Sequence, residues 1–136
     1  TGETITPHEE FRVVATANPG YQGTYELNDA FEDRFRHVKL AYLPQDVETA
    51  LVLSRTALGA ERREEVESLV GLAGRLREAY MDGELSTPVT TRELVRIARF
   101  MEDEFMDLRT AAESELVARV SEYDESLVKT YIQKRL

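Results

Sequence analysis

Phe11-Arg-Val-Val-Ala-Thr-Ala-Asn-Pro19 is the stretch that decides how the first part of this chain folds. It is an apolar run rich in β-branched residues, and such runs are typical of buried parallel strands. Pro19 pushes the residue before it into extended geometry, and Gly20 permits a sharp turn. The pattern therefore predicts a strand over residues 11–17, with the polar amide of Asn18 at its carboxyl end.

Two further elements are predicted before Pro44. Asn28 can cap a short helix over residues 29–35, because its side-chain oxygen can accept a free backbone N–H of the first turn. Residues 37–43 alternate weakly between polar and apolar side chains, which indicates a second strand. Pro44 closes that strand and could open the next helix.

From Pro44 onward the apolar residues recur every three or four positions, which is typical of amphipathic helices. We predict a helix that ends at Gly59, one that ends near Gly83, and helices over 91–105, about 108–122 and about 125–135. Thr90-Thr-Arg-Glu93 is a capping box, and the helix that it opens should be the most buried. The predicted inward residues are Val47, Ala50, Leu51, Ser54, Leu58, Val66, Leu69, Val70, Ala73, Leu76, Tyr80, Leu94, Val95, Ile97, Ala98, Phe100, Met101, Phe105, Leu116, Val120, Leu127, Val128, Tyr131 and Ile132.

The predicted fold class is mainly α, a helical bundle preceded by a two-strand and short-helix remnant of an α/β core. Residues 1–44 carry too few strands for an independent sheet. Residues 45–136 are long enough to hold a core of their own. The two parts are therefore expected to be separate domains.

Composition excludes several classes of protein. The net charge of -9 argues against a general nucleic-acid or membrane binder, because both partners are anionic. The absence of cysteine excludes disulfides and cysteine-ligated metals, and it is compatible with the cytoplasm. No apolar run approaches the roughly 18 residues of a membrane helix.

Asn18 and Arg34 are the candidate catalytic residues. Ligands of open α/β sheets bind at the carboxyl ends of the strands, where an amide could hold a γ-phosphate oxygen and the attacking water. An arginine at the end of a short helix, such as Arg34, could stabilise the phosphate charge of a neighbouring subunit. The alternatives are a turn-forming Asn18, and an Arg34 that pairs with Glu32 or Asp33 or favours the negative end of its helix.

Arg36 and Arg92 are the candidate nucleotide-binding residues. Arg36 could replace Arg34 in its role or make a second interfacial contact. Arg92 lies in the first turn of a helix, where the helix dipole disfavours a cation and a nearby anion such as a phosphate would compensate. An exposed or carboxylate-paired Arg92 is the alternative. The acidic group at 102, 103, 104 and 107 is interpreted as a solvated helix face, and no metal site is predicted.

Together these residues resemble the MoxR-type branch of the AAA+ ATPases, which includes rubisco-activating, nitric-oxide-reductase-activating and gas-vesicle ATPases. Residues 11–19 look like the sensor 1 strand, which implies Asn18 as the sensor. Residues 23–35 look like the segment that follows it, which implies Arg34 as the arginine finger. Residues 90–93 look like the start of a lid helix, which implies Arg92 at the sensor 2 position.

The chain also departs from that family. Nothing matches Gly-x-x-x-x-Gly-Lys-Ser/Thr, and no apolar strand ends in an Asp-Glu pair. This chain alone is therefore expected neither to bind ATP well nor to hydrolyse it, and the missing portion is expected upstream of Thr1. The resemblance implies ATP and magnesium in the parent protein, a ring, and a client protein, often with a von Willebrand A-domain partner. The competing interpretations are a non-catalytic helical interaction module and an autonomous regulatory bundle.

Overall fold

The computed structural model describes residues 2, 4–17, 28–102 and 106–136. The chain divides into two compact units, Thr1–Lys39 and Leu40–Leu136, which we call unit 1 and unit 2. Among its described residues, unit 1 has one short helix, α1, Asp29–Glu32. Unit 2 is helical throughout its described regular elements.

The described residues of unit 2 form five α-helices. They are α2 (Gln45–Ser54), α3 (Arg63–Met81), α4 (Thr91–Phe100), α5 (Leu108–Leu116) and α6 (Glu122–Arg135). Single 3-10 turns at Ala60–Arg62 and Val117–Arg119 precede α3 and follow α5. The predicted helical character of this region is therefore confirmed.

The helix α3 is the centre of the bundle, because it contacts α2, α4, α5 and α6. Its predicted stripe is confirmed from Val66 to Leu76, and Val66, Leu69 and Leu76 are fully buried. Burial of a leucine side chain contributes roughly 1.5–3 kcal/mol, so this stripe supplies much of the driving force for folding. The prediction that α4 would be the most buried helix is wrong. Phe100 is 43% exposed, and three of the 10 residues of α4 are buried against eight of the 19 in α3.

The end of α3 shows why the chain turns there. Gly83 has a φ of 78°, in the left-handed region that glycine adopts without penalty. Its N–H donates to the Tyr80 carbonyl at 3.1 Å, and the Glu84 N–H donates to the Ala79 carbonyl at 2.8 Å. This pair of bonds is a Schellman motif, and it confirms the predicted stop near Gly83.

The inward face of α2 differs from the prediction. Val47 is 46% exposed, and Ala50 and Ser54 are exposed as well. The buried residues of this helix are Glu48, Thr49 and Val52. The helix therefore presents a different face to the bundle from the predicted apolar stripe, and the inward-facing Glu48 carboxylate forms an ion pair with Arg77 of α3.

The two predicted strands, 11–17 and 37–43, have no strand structure in the part of the chain that the structure describes. Their apolar side chains are exposed, with Val14 at 91% and Val38 at 74%. An isolated extended segment has no neighbour to accept its backbone hydrogen bonds, so it cannot form a sheet on its own. The helix between these two segments begins as predicted at the Asn28 cap but ends at Glu32, short of residue 35.

Candidate functional site

The structure places the candidate residues in different parts of the molecule. Asn18 lies outside the described residues. Arg34 and Arg36 belong to unit 1, whereas Arg92 belongs to unit 2. Their roles at a common nucleotide therefore remain predictions.

Arg34 follows α1 and is exposed. The Asn28 side chain caps this helix by accepting from the Ala30 N–H at 2.9 Å. The centroids of the Phe31 and Phe35 rings lie 4.9 Å apart, so these two side chains pack across the turn that follows the helix. The Arg34 guanidinium donates to the Ala30 carbonyl, and within the described chain it forms no ion pair with Glu32 or Asp33. Its guanidinium therefore lies against its own helix, on an exposed surface.

Arg92 lies in the first turn of α4, and the predicted capping box at that helix start is confirmed. The Thr90 N–H donates to the Glu93 carboxylate at 2.6 Å, and the Glu93 N–H donates to the Thr90 hydroxyl at 3.3 Å. The Arg92 side chain is exposed and has no hydrogen bond or ion pair to any residue that the structure describes. This leaves its guanidinium available to an anion.

A buried ion pair lies beneath this helix start. Arg77 of α3 donates from both terminal nitrogens to the two carboxylate oxygens of Glu48 in α2, at 2.7 and 2.8 Å. The Glu48 side chain is 1% exposed and the Arg77 side chain 10%. Two parallel N–H···O bonds fix both the distance and the plane of the pair, which a single bond would not do.

Three further contacts complete the network. The Thr91 hydroxyl donates to Glu48 Oε1 at 2.6 Å, and Arg77 Nε donates to the Val89 carbonyl at 2.8 Å. The Arg77 guanidinium also lies over the Tyr42 ring, 3.8 Å from its centroid. The network therefore joins α2 and α3 to the segment that enters α4, and we call Glu48, Arg77 and Thr91 the buried triad.

The buried triad keeps the Glu48 carboxylate ionised. Burial raises the pKa of Glu48, but the hydrogen bonds from Arg77 and Thr91 and the Arg77 charge outweigh it, so the pKa lies below its ordinary value. A buried carboxylate that stays charged is stable only with such partners.

Sequence reasoning missed the buried triad. Glu48 and Arg77 are 29 residues apart, and no local pattern links them. The sequence offered one signal for it. Glu48 and Thr49 are polar residues that interrupt the apolar face of α2, and a polar partner inside the bundle would explain their presence there.

Two carboxylates of the acidic group at 102, 103, 104 and 107 form hydrogen bonds to backbone N–H groups. Glu102 accepts from the Ala57 N–H at 2.7 Å, and Asp107 caps α5 by accepting from the Thr110 N–H at 2.7 Å. Hydrogen bonding to the Thr110 backbone lowers the pKa of Asp107. Among the described residues, no group of histidines and carboxylates is arranged to hold a metal ion.

A cleft with a volume of about 360 Å³ is lined by residues at the carboxyl ends of α3 and α6. Arg75 and Glu78 in its wall form an ion pair at 2.9 Å, and Arg92 is not part of its lining. None of the described helices has the length and apolar character needed to cross a membrane.

Comparisons with known proteins identify related sequences. The family model described as CbbQ/NirQ/NorQ C-terminal matches residues 48–134. The aerobic cobaltochelatase subunit CobS of Sinorhizobium sp is 32% identical over 141 residues, covering 96% of this chain and 42% of that protein. The uncharacterised protein YojN of Bacillus subtilis strain 168 is 30% identical over 86 residues, covering 63% of this chain and 28% of that protein. An uncharacterised protein of Staphylococcus aureus strain USA300 is 28% identical over 86 residues, covering 63% of this chain and 32% of that protein. The chain therefore spans less than half the length of each of these relatives.

Proposed function

We infer the function of this chain from its family, because the chain belongs to the CbbQ/NirQ/NorQ C-terminal family of MoxR-type AAA+ proteins. We propose that it is the carboxyl-terminal portion of an ATPase that assembles into a ring and couples ATP hydrolysis to the remodelling or activation of a client protein. The observation that carries this proposal is the family match across unit 2, from the second turn of α2 to the end of α6.

The remaining nucleotide-binding parts are proposed to lie outside these 136 residues. The chain has no phosphate-binding loop, and the relatives that it matches are more than twice as long. In the whole protein, residues 11–17 and 37–43 would join the strands of the ATPase core and so cover their exposed apolar side chains. This arrangement explains why Val14 and Val38 are exposed here.

The proposed roles of the site residues are those that the family resemblance implies, and their chemistry suits them. Asn18 orients the attacking water, Arg92 binds the terminal phosphate of its own subunit, and Arg34 reaches the nucleotide of the next subunit. Phosphoryl transfer depends mainly on positioning and charge stabilisation, so fixed amide and guanidinium groups suffice for these roles. ATP and magnesium are the proposed ligands of the whole protein. A client protein, with or without a von Willebrand A-domain partner, is its proposed target.

The test is Arg34→Ala in the whole protein. We expect ATP turnover to fall by about 10³-fold, since arginine fingers contribute on that scale, while the affinity for nucleotide stays nearly unchanged. Steady-state ATPase assays and equilibrium binding of a fluorescent ATP analogue measure the two quantities. Arg109→Ala is the matched control, because Arg109 is also an exposed arginine and lies in α5, outside the segments that the proposal assigns to the ATPase core.

Three outcomes separate the alternatives. If turnover is unaltered in Arg34→Ala but falls in Arg36→Ala, Arg36 is the finger. If neither arginine affects turnover, the arginine-finger assignment is wrong. If the whole protein lacks ATP hydrolysis altogether, the ATPase proposal fails and a helical interaction module is the better interpretation.

A further inference from the structure

The backbone around Arg92 is held from two sides. On one side, Thr91 donates its hydroxyl to Glu48 of α2 at 2.6 Å, and that carboxylate is held in turn by Arg77 of α3. On the other side, the carboxylate of Glu93 closes the capping box with Thr90. The Arg92 guanidinium has no partner among the described residues, so the direction in which it leaves the bundle depends on this backbone.

Stability alone is a weak explanation for the buried triad. Removing two charges from water is nearly as unfavourable as their attraction is favourable, and well-packed apolar residues often replace a buried ion pair without loss. What an apolar replacement would not reproduce is the geometry. The bidentate pair fixes the plane of the Glu48 carboxylate, and the carboxylate fixes the Thr91 hydroxyl.

We propose that Glu48, Arg77 and Thr91 are positioning residues that aim the Arg92 guanidinium at the terminal phosphate of a bound nucleoside triphosphate. This inference rests on the proposed function, in which Arg92 faces that phosphate. A shift of about 1 Å in a positioned group can change a rate by up to about a hundredfold, so a rigid helix start matters to such a contact. The diphosphate product lacks the terminal phosphate, and its binding should not depend on the triad.

Thr91→Val in the whole protein tests the inference, because it removes the hydroxyl while keeping nearly the same side-chain volume. The measurement is the ratio of dissociation constants for ADP and for a non-hydrolysable ATP analogue. We expect Thr91→Val to lower the preference for the analogue about three- to tenfold, and Arg92→Ala to abolish it. Thr91→Ser retains the hydroxyl and should restore the preference.

Thr130→Val is the matched control. Thr130 is exposed on α6, and its hydroxyl donates only to the Ser126 carbonyl of the same helix, at 2.8 Å. We expect this variant to bind both nucleotides as the wild type does. If Thr91→Val does not fold, Thr91→Ala removes the same hydroxyl with a better helix former.

The outcomes distinguish this inference from the proposed function. If Arg92→Ala abolishes the preference but Thr91→Val changes only the unfolding midpoint, the triad is merely structural and the inference is overturned. If Arg92→Ala leaves the preference intact, Arg92 does not face the phosphate. The inference then falls with that assignment, while the Arg34 experiment still tests the ATPase itself.

Discussion

At the scale of single residues, Arg77 carries an unusual number of the polar contacts inside unit 2. Its three guanidinium nitrogens all donate, two to Glu48 and one to the Val89 carbonyl, and its face lies over Tyr42. A lysine could not reproduce this arrangement, because an ammonium group has no planar fork and no face to stack. Every donor and acceptor of the ion pair is therefore oriented, which makes removal of one partner costly.

Glu48→Gln tests how much the charge of this pair contributes to stability. The glutamine keeps one acceptor but leaves the Arg77 charge without its counter-ion. We expect the free energy of unfolding at pH 7 to fall by about 3 kcal/mol. Urea unfolding followed by circular dichroism measures the loss. Glu67→Gln is the matched control, because its pair with Arg63 is half-exposed and contributes about 0–1 kcal/mol.

The pH dependence of the same variant has a definite sign. The folded-state pKa of Glu48 lies below its ordinary value of 4.5, so its stabilisation is present above pH 4.5 and is lost as the pH falls through the folded pKa. The difference in unfolding free energy between wild type and Glu48→Gln should therefore shrink below pH 4.5. Asp124, whose pKa is lowered chiefly by the Ser86 hydroxyl, titrates in both proteins and cancels from the difference. A constant difference down to pH 3 would contradict this account.

At the scale of elements, the helix boundaries are set by local chemistry. Thr90, Asp107 and Ser121 each accept a backbone N–H of the helix that follows, and Gly83 ends α3 in a Schellman motif. Loss of such a side-chain cap typically costs about 1 kcal/mol. These short-range bonds fix where each helix starts or stops, but they do not decide which face the helix buries.

Substitution of two glycines by alanine should change the stability of unit 2 in opposite directions. Gly83→Ala places a Cβ at a φ of 78° and should destabilise unit 2 by roughly 1 kcal/mol, although no atom lies close enough to clash. Gly74→Ala, inside α3 and equally free of close neighbours, should stabilise it by about 0.5–1 kcal/mol. Urea midpoints of the two variants measure both effects. Equal shifts would show that φ at residue 83 does not limit stability.

At the scale of the whole molecule, the two units differ in how much apolar surface they bury. Unit 2 holds a continuous core around α3, with side chains such as Leu94 and Ile132 fully buried. Unit 1 exposes Ile5 at 84% and Val14 at 91%, and its one regular element in the described residues is the four-residue α1. Burial is the main source of folding free energy, so the units should differ strongly in stability.

Hydrogen exchange should reveal this difference. In a dilute sample of these 136 residues, we expect strong amide protection in α3 and weak protection over residues 4–17 and 28–39. Mass spectrometry of peptic fragments measures both regions in one experiment. A dilution series is the control, since pairing of exposed segments between copies would raise protection with concentration. Uniformly high protection in a monomer would contradict the expectation.

The sequence by itself determined those features of the fold that depend on residues three or four positions apart. The caps at Asn28 and Thr90, the stop at Gly83 and the apolar stripe of α3 could all be predicted, because the interacting atoms lie within one or two turns. The start of α4 at Thr91 followed from the same local pattern.

Only the tertiary structure decided how the helices meet. The pairing of Glu48 with Arg77 joins two helices, and a carboxylate of α2 faces inward where an apolar stripe had been predicted. The central position of α3 likewise depends on the arrangement of all its neighbours. The predicted strands at 11–17 and 37–43 did not form in the described residues, since a strand requires hydrogen bonds from a partner and local sequence cannot supply one.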